Sequence, residues 1–393
     1  MSRNITVGID IGTYHVKVMV AESSSENGRS SPRIVGTGIA ESKGLRHGYI
    51  INSSDVTRSI REAVRQAEKT SGIKVKKALI SIGGIGLQGV ISQGSVVISR
   101  ADLEITDTDV EGVLTAAENE IPAPLSLNRK IIHSIPIQYK IDGRPVLGKP
   151  AGMRGAKLEL RAMFVSCLSH HLDDLVSAIE EAEIDVIDVM AAPLAASFVT
   201  LTKTQKIAGC VLANIGSETV SIVVFENNIP ISLEVFPIGS TDITNDIALG
   251  LKIPLEEAEQ IKLGGITSTS YPKKKLEEII MARLTDMFEL IDAHLRKIGR
   301  NGLLPAGIII TGGGSGIGTI EDLARSSLKL PSRIASLTFG ENGKTQIKDS
   351  SWSVALGLCI FGFTADDRTT LGFSNLAGKL LTKIGSWFKQ FLP

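Results

Sequence analysis

The chain has 393 residues, enough for two domains or one composite one. Hydrophobic residues are 43% and charged residues 21% of it, and 42 basic side chains balance 42 acidic ones with no basic block, so a sizeable core is possible and nucleic acid is not an expected partner. Cys167, Cys210 and Cys359 share no CxxC spacing, which argues against a disulfide framework or zinc site and for a reducing compartment. The opening "MSRNITVGIDIG" lacks a signal pattern, and no apolar run approaches the roughly 20 residues that span a bilayer, so the body is expected in the cytosol.

In chain order, "ITVGIDIG" (Ile5–Gly12) and "HVKVMVAE" (His15–Glu22) predict a β-hairpin, Ser23–Pro32 a polar loop, and "PRIVGTGIAES" a third strand. Ser53–Gly72 predicts a helix with a serine N-cap, apolar residues Val56, Ile60, Ala63, Val64 and Ala67 on one face, and a glycine stop. "KKALISIGG" is another strand. From Gly84 to Ala162 the texture changes to a small α+β unit. It has strands at "GLQGVISQGSVVIS", "RKIIHSIPIQYKID" and "AKLELRAMFVSC", and a helix at Thr106–Ile121. A helix follows at His171–Ile184, with His170 and His171 read as surface residues.

The opening pattern then recurs about 200 residues on. "IAGCVLANIG" (Ile207–Gly216), "ETVSIVVFENN" (Glu218–Asn228) and "IPISLEVFPIG" repeat the strand–turn–strand–strand unit. Thr241–Arg300 is helical and charged. "AGIIITGGGSGI" is a buried strand and glycine turn before the helix "GTIEDLARSSL", and Ser351–Gly362 reads as a last apolar helix. Repetition of one α/β unit predicts two similar lobes facing a cleft.

Three turns carry the chemistry. In "GIDIGTYHVKV", Gly12 permits a tight turn whose backbone N–H groups converge on an anion, with Thr13, Tyr14 and Lys17 as further donors. Asp10 beside phosphates needs a cation between them, so it is the expected magnesium partner, through water. "VLANIGSETVSIV" places Asn214, Gly216 and Ser217 where Asp10, Gly12 and Thr13 stand, followed by Glu218 and Thr219. In "IIITGGGSGIGTIEDLA", Gly312, Gly313 and Gly314 allow close backbone approach to a flat ligand and Ser315 is a donor. The last is neither a P-loop nor a Rossmann fingerprint.

The three in this order resemble the actin, sugar-kinase and Hsp70 superfamily: two phosphate loops, then an adenosine loop. In "AEQIKLGG", Glu259 and Lys262 share a helix face, and the resemblance makes them ribose and base partners of the nucleoside. Arg129–Leu160, with "HSIPIQYKIDG" and "PAGMRGAKLEL", is similar to the insertion of the bacterial cell-division FtsA family, also found in the pilus-assembly protein PilM. The resemblance runs from Ile5 to Gly362 and then includes the tail.

It implies an α/β, actin-like (ribonuclease H-like) two-lobed fold with ATP and Mg²⁺ in the cleft. The expected units are 1–83 with 163–192 (first lobe), 84–162 (insertion), 193–235 with 306–363 (second lobe), 236–305 (small helical subdomain), 364–377 (linker) and 378–393 (amphipathic helix). It further implies self-association into protofilaments, contact with other division proteins, and recruitment of FtsZ, through the small subdomain, to the cytoplasmic face of the membrane at the division site. Asn214 stands where many relatives have aspartate. It cannot act as a base, so ATP is expected to be hydrolysed weakly or not at all. A PilM-type adaptor and a small-molecule kinase are the alternatives.

The last residues, "GKLLTKIGSWFKQFLP", divide cleanly on a helical wheel. Leu380, Leu381, Ile384, Trp387, Phe388, Phe391 and Leu392 fall within roughly 140°, and Lys379, Lys383 and Lys389 lie opposite. Such a helix suits an anionic lipid surface, each lysine adding about 1 kcal/mol.

Overall fold

A computed structural model describes residues 4–26, 29–265, 271–337 and 349–369. The first lobe begins with β1 (Asn4–Ile11), β2 (His15–Glu26) and β3 (Arg29–Glu41), a small hairpin β4 (Leu45–Arg46) and β5 (Tyr49–Ile50), α1 (Ser53–Ser71) and β6 (Lys77–Ile82). An inserted unit follows: β7 (Gln88–Val97), α2 (Asp107–Asn119), α3 (Ala123–Ser126), β8 (Arg129–Ile141), β9 (Arg144–Val146) and β10 (Lys157–Leu168). Then come α4 (Ser169–Glu181), β11 (Asp185–Ala191), α5 (Ala192–Thr200) and α6 (Lys203–Ala208).

The second lobe has β12 (Cys210–Ile215), β13 (Val220–Glu226), β14 (Ile229–Phe236), α7 (Ser240–Leu251), α8 (Leu255–Lys262), α9 (Lys273–Lys297), β15 (Ile308–Thr311), α10 (Ile320–Leu328) and β16 (Ser332–Ile334). α11 (Ser353–Thr369) closes the described chain.

The expected duplication is exact in topology. The first sheet runs β3-β2-β1-β6-β11 and the second β14-β13-β12-β15-β16. In each, three antiparallel strands are extended by two parallel ones. β-Branched residues dominate these strands, and the central ones are buried on both faces, as parallel strands covered by helices must be. Val211, Ile222, Val224 and Ile310 form one core with Phe288 and Ile291 of α9.

α1 buries the predicted stripe of Val56, Ile60, Ala63, Val64 and Ala67. Its cap is Asn52 rather than a serine: the Asn52 side chain accepts from the Asp55 N–H at 3.3 Å. Gly72 ends it in the left-handed region, φ 69°.

The inserted sheet is ordered β7-β10-β8-β9. α2 covers one face, packing Val113 and Ala117 with Ile105, Leu158 and Phe164. β10 runs unbroken through the expected boundary at residue 162. Leu158, Leu160 and Phe164 belong to the insertion's core, whereas Met163, Val165 and Cys167 join the core of the first lobe. Alternation along one strand thus fastens the insertion to the body.

Several expectations are corrected. The polar loop at 23–32 is largely strand: β2 and β3 stay paired from Ser23↔Pro32 to Glu26↔Arg29. Backbone pairing continues there without the apolar alternation that marks a strand. α6 went unread because it is only six residues long, although Thr202 and Gln205 form its capping box. His171 is buried, its ring 5.0 Å from that of Tyr49, and burial lowers its pKa, while His170 is exposed.

α11 follows the second lobe in sequence, where residues up to 363 were placed, but it packs on the first. Ala355, Leu356 and Cys359 lie against Met19, Ala21 and Val199. It also continues helical from Thr364 to Thr369, into the stretch read as linker. Residues 370–393, including the expected amphipathic helix, lie outside the described residues.

Candidate nucleotide site

The first loop follows from β1 and β2. Asp10 pairs with Lys17 across the hairpin, and between them the Gly12 N–H donates to the His15 carbonyl at 3.1 Å. The second loop repeats it: Asn214 pairs with Ser221, and the Gly216 N–H donates to the Thr219 carbonyl at 2.8 Å. The carbonyls are used elsewhere. That of Tyr14 accepts from Ser42 N–H, and those of Gly216 and Ser217 accept from Ser240 and Thr241 at the start of α7. The N–H groups of Thr13, Tyr14, Ser217 and Glu218 have no acceptor among the described residues. Successive free amides on a tight turn are the chemistry of an anion nest.

Asp10 is held by the Ser81 hydroxyl, which donates to Oδ1 at 2.8 Å. Burial raises its pKa, and the facing Lys17 ammonium pulls it back down. Lys17 is itself buried. Its Nζ donates to the Ser351 carbonyl at 2.7 Å and lies 5.8 Å from the centre of the Trp352 ring. It therefore ties the first loop to the segment before α11. Tyr14 is exposed, with its ring edge against His15.

Among the described residues no cluster of three or more His, Cys, Asp or Glu could hold a metal. A single carboxylate fits magnesium held mainly by water and phosphate, as that ion prefers, and not a cage built by the protein.

In the third loop the glycines differ. At Gly312 (φ 93°, ψ 173°) a Cβ would fall 2.4 Å from both Asn214 Oδ1 and the Ile215 carbonyl. At Gly314 it would meet Ile215 Cγ2 at 2.5 Å, whereas at Gly313 it would meet nothing within 4 Å. The fold demands the outer two and leaves the middle one open to a ligand. Ser315 is turned inward: its hydroxyl donates to the Gly312 carbonyl at 2.7 Å and meets Ser350 Oγ at 2.8 Å, so it shapes the loop.

Glu259 and Lys262 form an ion pair of 2.7 Å, with the lysine side chain 6% exposed. Thr244 donates to Glu259 at 2.5 Å, and Lys262 donates to Thr244 Oγ1 at 2.9 Å and the Ser240 carbonyl at 3.2 Å. Ser240 also supports the second loop, so the pair braces that loop through α7.

Sequence reading missed Ser81 and His47. Ser81 was findable: "SIGG" at the end of β6 resembles "TGGG" at the end of β15. His47 had no signal, because its contact with Glu218 crosses between the lobes. A cavity of about 320 Å³ lies elsewhere, on the insertion, lined by Gln93, Gln138, Lys140, Glu159 and Arg161 among others. None of the three glycine turns lines it.

Paired five-stranded sheets of identical order, each with a glycine turn after its first strand, define an actin-like protein. Solved structures agree on the fold. The PilM–PilN type IV pilus biogenesis complex aligns with TM-score 0.67 at 17% identity over 91% of this chain and 98% of that one. MreB5 of Spiroplasma citri bound to ADP aligns with TM-score 0.53 at 12% identity over 94% and 99%.

Within that class, the family description "Cell division protein FtsA" matches residues 211–357, and "SHS2 domain inserted in FTSA" matches residues 84–166. The cell division protein FtsA of Borreliella burgdorferi is 32% identical over 92% of this chain and 91% of its own. That of Pseudomonas aeruginosa is 29% identical over 92% and 90%. The chain belongs to the FtsA family of cell-division proteins.

Proposed function

We propose that this chain binds ATP with magnesium between its lobes, assembles into protofilaments, and tethers the FtsZ ring to the cytoplasmic face of the membrane at the division site. The observation that carries the nucleotide reading is the pair of mirrored glycine turns, each with amides that lack acceptors and one with a carboxylate beside it. The free amides of Thr13 and Tyr14 in the first, and of Ser217 and Glu218 in the second, would hold the phosphates, with Gly12 and Gly216 shaping the turns, Asn214 and Thr219 flanking the second, and Asp10 reaching the phosphates only through magnesium. Gly313 would face the nucleoside. When bound, magnesium would neutralise phosphate charge next to Asp10. Asn214 supplies no base, so ATP acts chiefly as a structural ligand that stabilises the form it binds.

The tether rests on the sequence of residues 378–393. No helix among the described residues is long and apolar enough to cross a membrane, and an amphipathic surface helix needs no such length. One short helix binds weakly, and a filament carrying many copies multiplies the binding. Recruitment of FtsZ is drawn from the family and assigned to the helical 236–305 region, with other division proteins as further partners.

The test is co-sedimentation of the full chain with vesicles containing anionic lipid, with and without ATP. Trp387→Glu or Phe388→Glu should lower vesicle binding by about tenfold or more, as loss of about 2 kcal/mol of apolar burial implies, and leave ATP binding intact. Retained vesicle binding would remove the tether and favour the pilus-type adaptor.

A further inference from the structure

His47 and Gly48 are the two central residues of the β4–β5 turn, and both have positive φ, 49° and 85°. That is the backbone of a type I′ hairpin, which glycine and, less readily, histidine tolerate. The turn is gripped from two sides. On one side the His47 N–H donates to Glu218 Oε2 in the second phosphate loop, and His47 Nδ1 lies 3.3 Å from the Glu218 carbonyl oxygen.

On the other side the His47 carbonyl accepts from the Ile85 N–H at 3.2 Å. A Cβ on Gly48 would fall 2.3 Å from the Gly84 Cα, so the two backbones touch. Gly84–Gly86 is the root from which the inserted unit leaves the first lobe. The next residue of the hairpin, Tyr49, reaches the same root: a Cβ on Gly86 would lie 2.7 Å from its hydroxyl. Arg129, the first residue of β8, also donates to the Gly86 carbonyl.

We propose that the β4–β5 turn is a coupling element between the lobes, in which the Glu218 carboxylate fixes the turn and the turn fixes the root of the inserted unit. The second phosphate loop and the insertion are then read by one rigid two-residue turn. Glu218 is a positioning residue in this scheme. Its carboxylate is the acceptor of a charge-assisted hydrogen bond, the stronger class. A change in the second loop that draws this carboxylate away releases the His47 amide, and the Ile85 amide loses its fixed acceptor.

Amide hydrogen exchange on the full chain, without nucleotide, tests the coupling separately from the ATP reading. In Glu218→Ala, exchange at His47 should rise by about tenfold or more, as loss of a hydrogen bond to a charged group implies. Exchange should rise with it at Ile85 and at Leu87, whose N–H donates to the Gly84 carbonyl at 3.1 Å within the same root. Glu218→Gln keeps an acceptor and should restore most of the protection at all three. Gly48→Ala leaves Glu218 in place but cannot fit against Gly84, so it should deprotect Ile85 and Leu87. Deprotection confined to His47 in Glu218→Ala, or unchanged Ile85 and Leu87 in Gly48→Ala, would overturn the proposal. Failure of ATP to bind would leave it standing.

Discussion

Gly312 and Gly313 are neighbours that should fail in opposite ways when each is changed to alanine. Gly312 has φ 93° and ψ 173°, a region essentially reserved for glycine, which costs another residue about 1–3 kcal/mol. An alanine Cβ there would also sit 2.4 Å from the Ile215 carbonyl and from Asn214 Oδ1. The carbonyl is backbone in the middle of the second lobe and yields only if the β12 end moves, so overpacking adds about 1–3 kcal/mol. Gly312→Ala should therefore lose about 3 kcal/mol or more in urea unfolding followed by circular dichroism. Gly313→Ala meets open space and should unfold within about 0.5 kcal/mol of the parent. Its methyl group projects where a nucleoside would approach, so ATP affinity by calorimetry should drop about tenfold or more, the scale of a lost close contact. Equal stability of the two variants would refute the division of roles. So would unchanged ATP affinity in Gly313→Ala.

Two further outcomes follow. His133 accepts from the Ala191 N–H at 3.0 Å and His294 meets Ser232 Oγ at 2.7 Å, and burial holds both pKa values down to about 4 against 6.5 when unfolded. Below pH 6.5 the unfolded chain binds protons that the folded chain does not. Stability is therefore full above that pH and falls as it drops toward 4, by up to roughly 3 kcal/mol for the fully buried His133 and by less for His294, whose ring lies 3.6 Å from the Glu234 carboxylate. Urea midpoints at pH 7, 5.5 and 4.5 should show this loss, and His133→Gln should make it shallower; an unchanged slope would contradict the assignment. Steady-state ATP turnover should lie well below about 1 s⁻¹, the low end of ordinary enzymes, and a phosphate-release assay at or above that rate would show that a base exists despite Asn214.

Local chemistry fixed much of this protein from the sequence. β-Branched runs ending in Asp10-Ile-Gly12 and Asn214-Ile-Gly216 specify strand and turn through neighbouring residues alone, so both hairpins, their repetition and the third glycine loop were legible. The helical stripe of α1 was legible for the same reason, because its periodicity is carried within about five turns of one helix.

What the sequence left open depends on residues far apart in the chain. Nothing near Lys17 reveals that it donates to Ser351, more than three hundred residues on. The apolar run of α11 shows that it is buried but not beneath which lobe. Ser315 reads as a ligand donor until Ser350 is brought beside it. Glu218 reads as one more polar residue of a glycine turn until the lobes meet and the His47 amide faces it. Turns and strands are settled by short-range sterics and hydrogen bonds, which the order of residues encodes directly. Which free donor finds which acceptor across the lobes is settled only by packing, because many polar side chains are chemically equivalent until burial removes water as the competing partner.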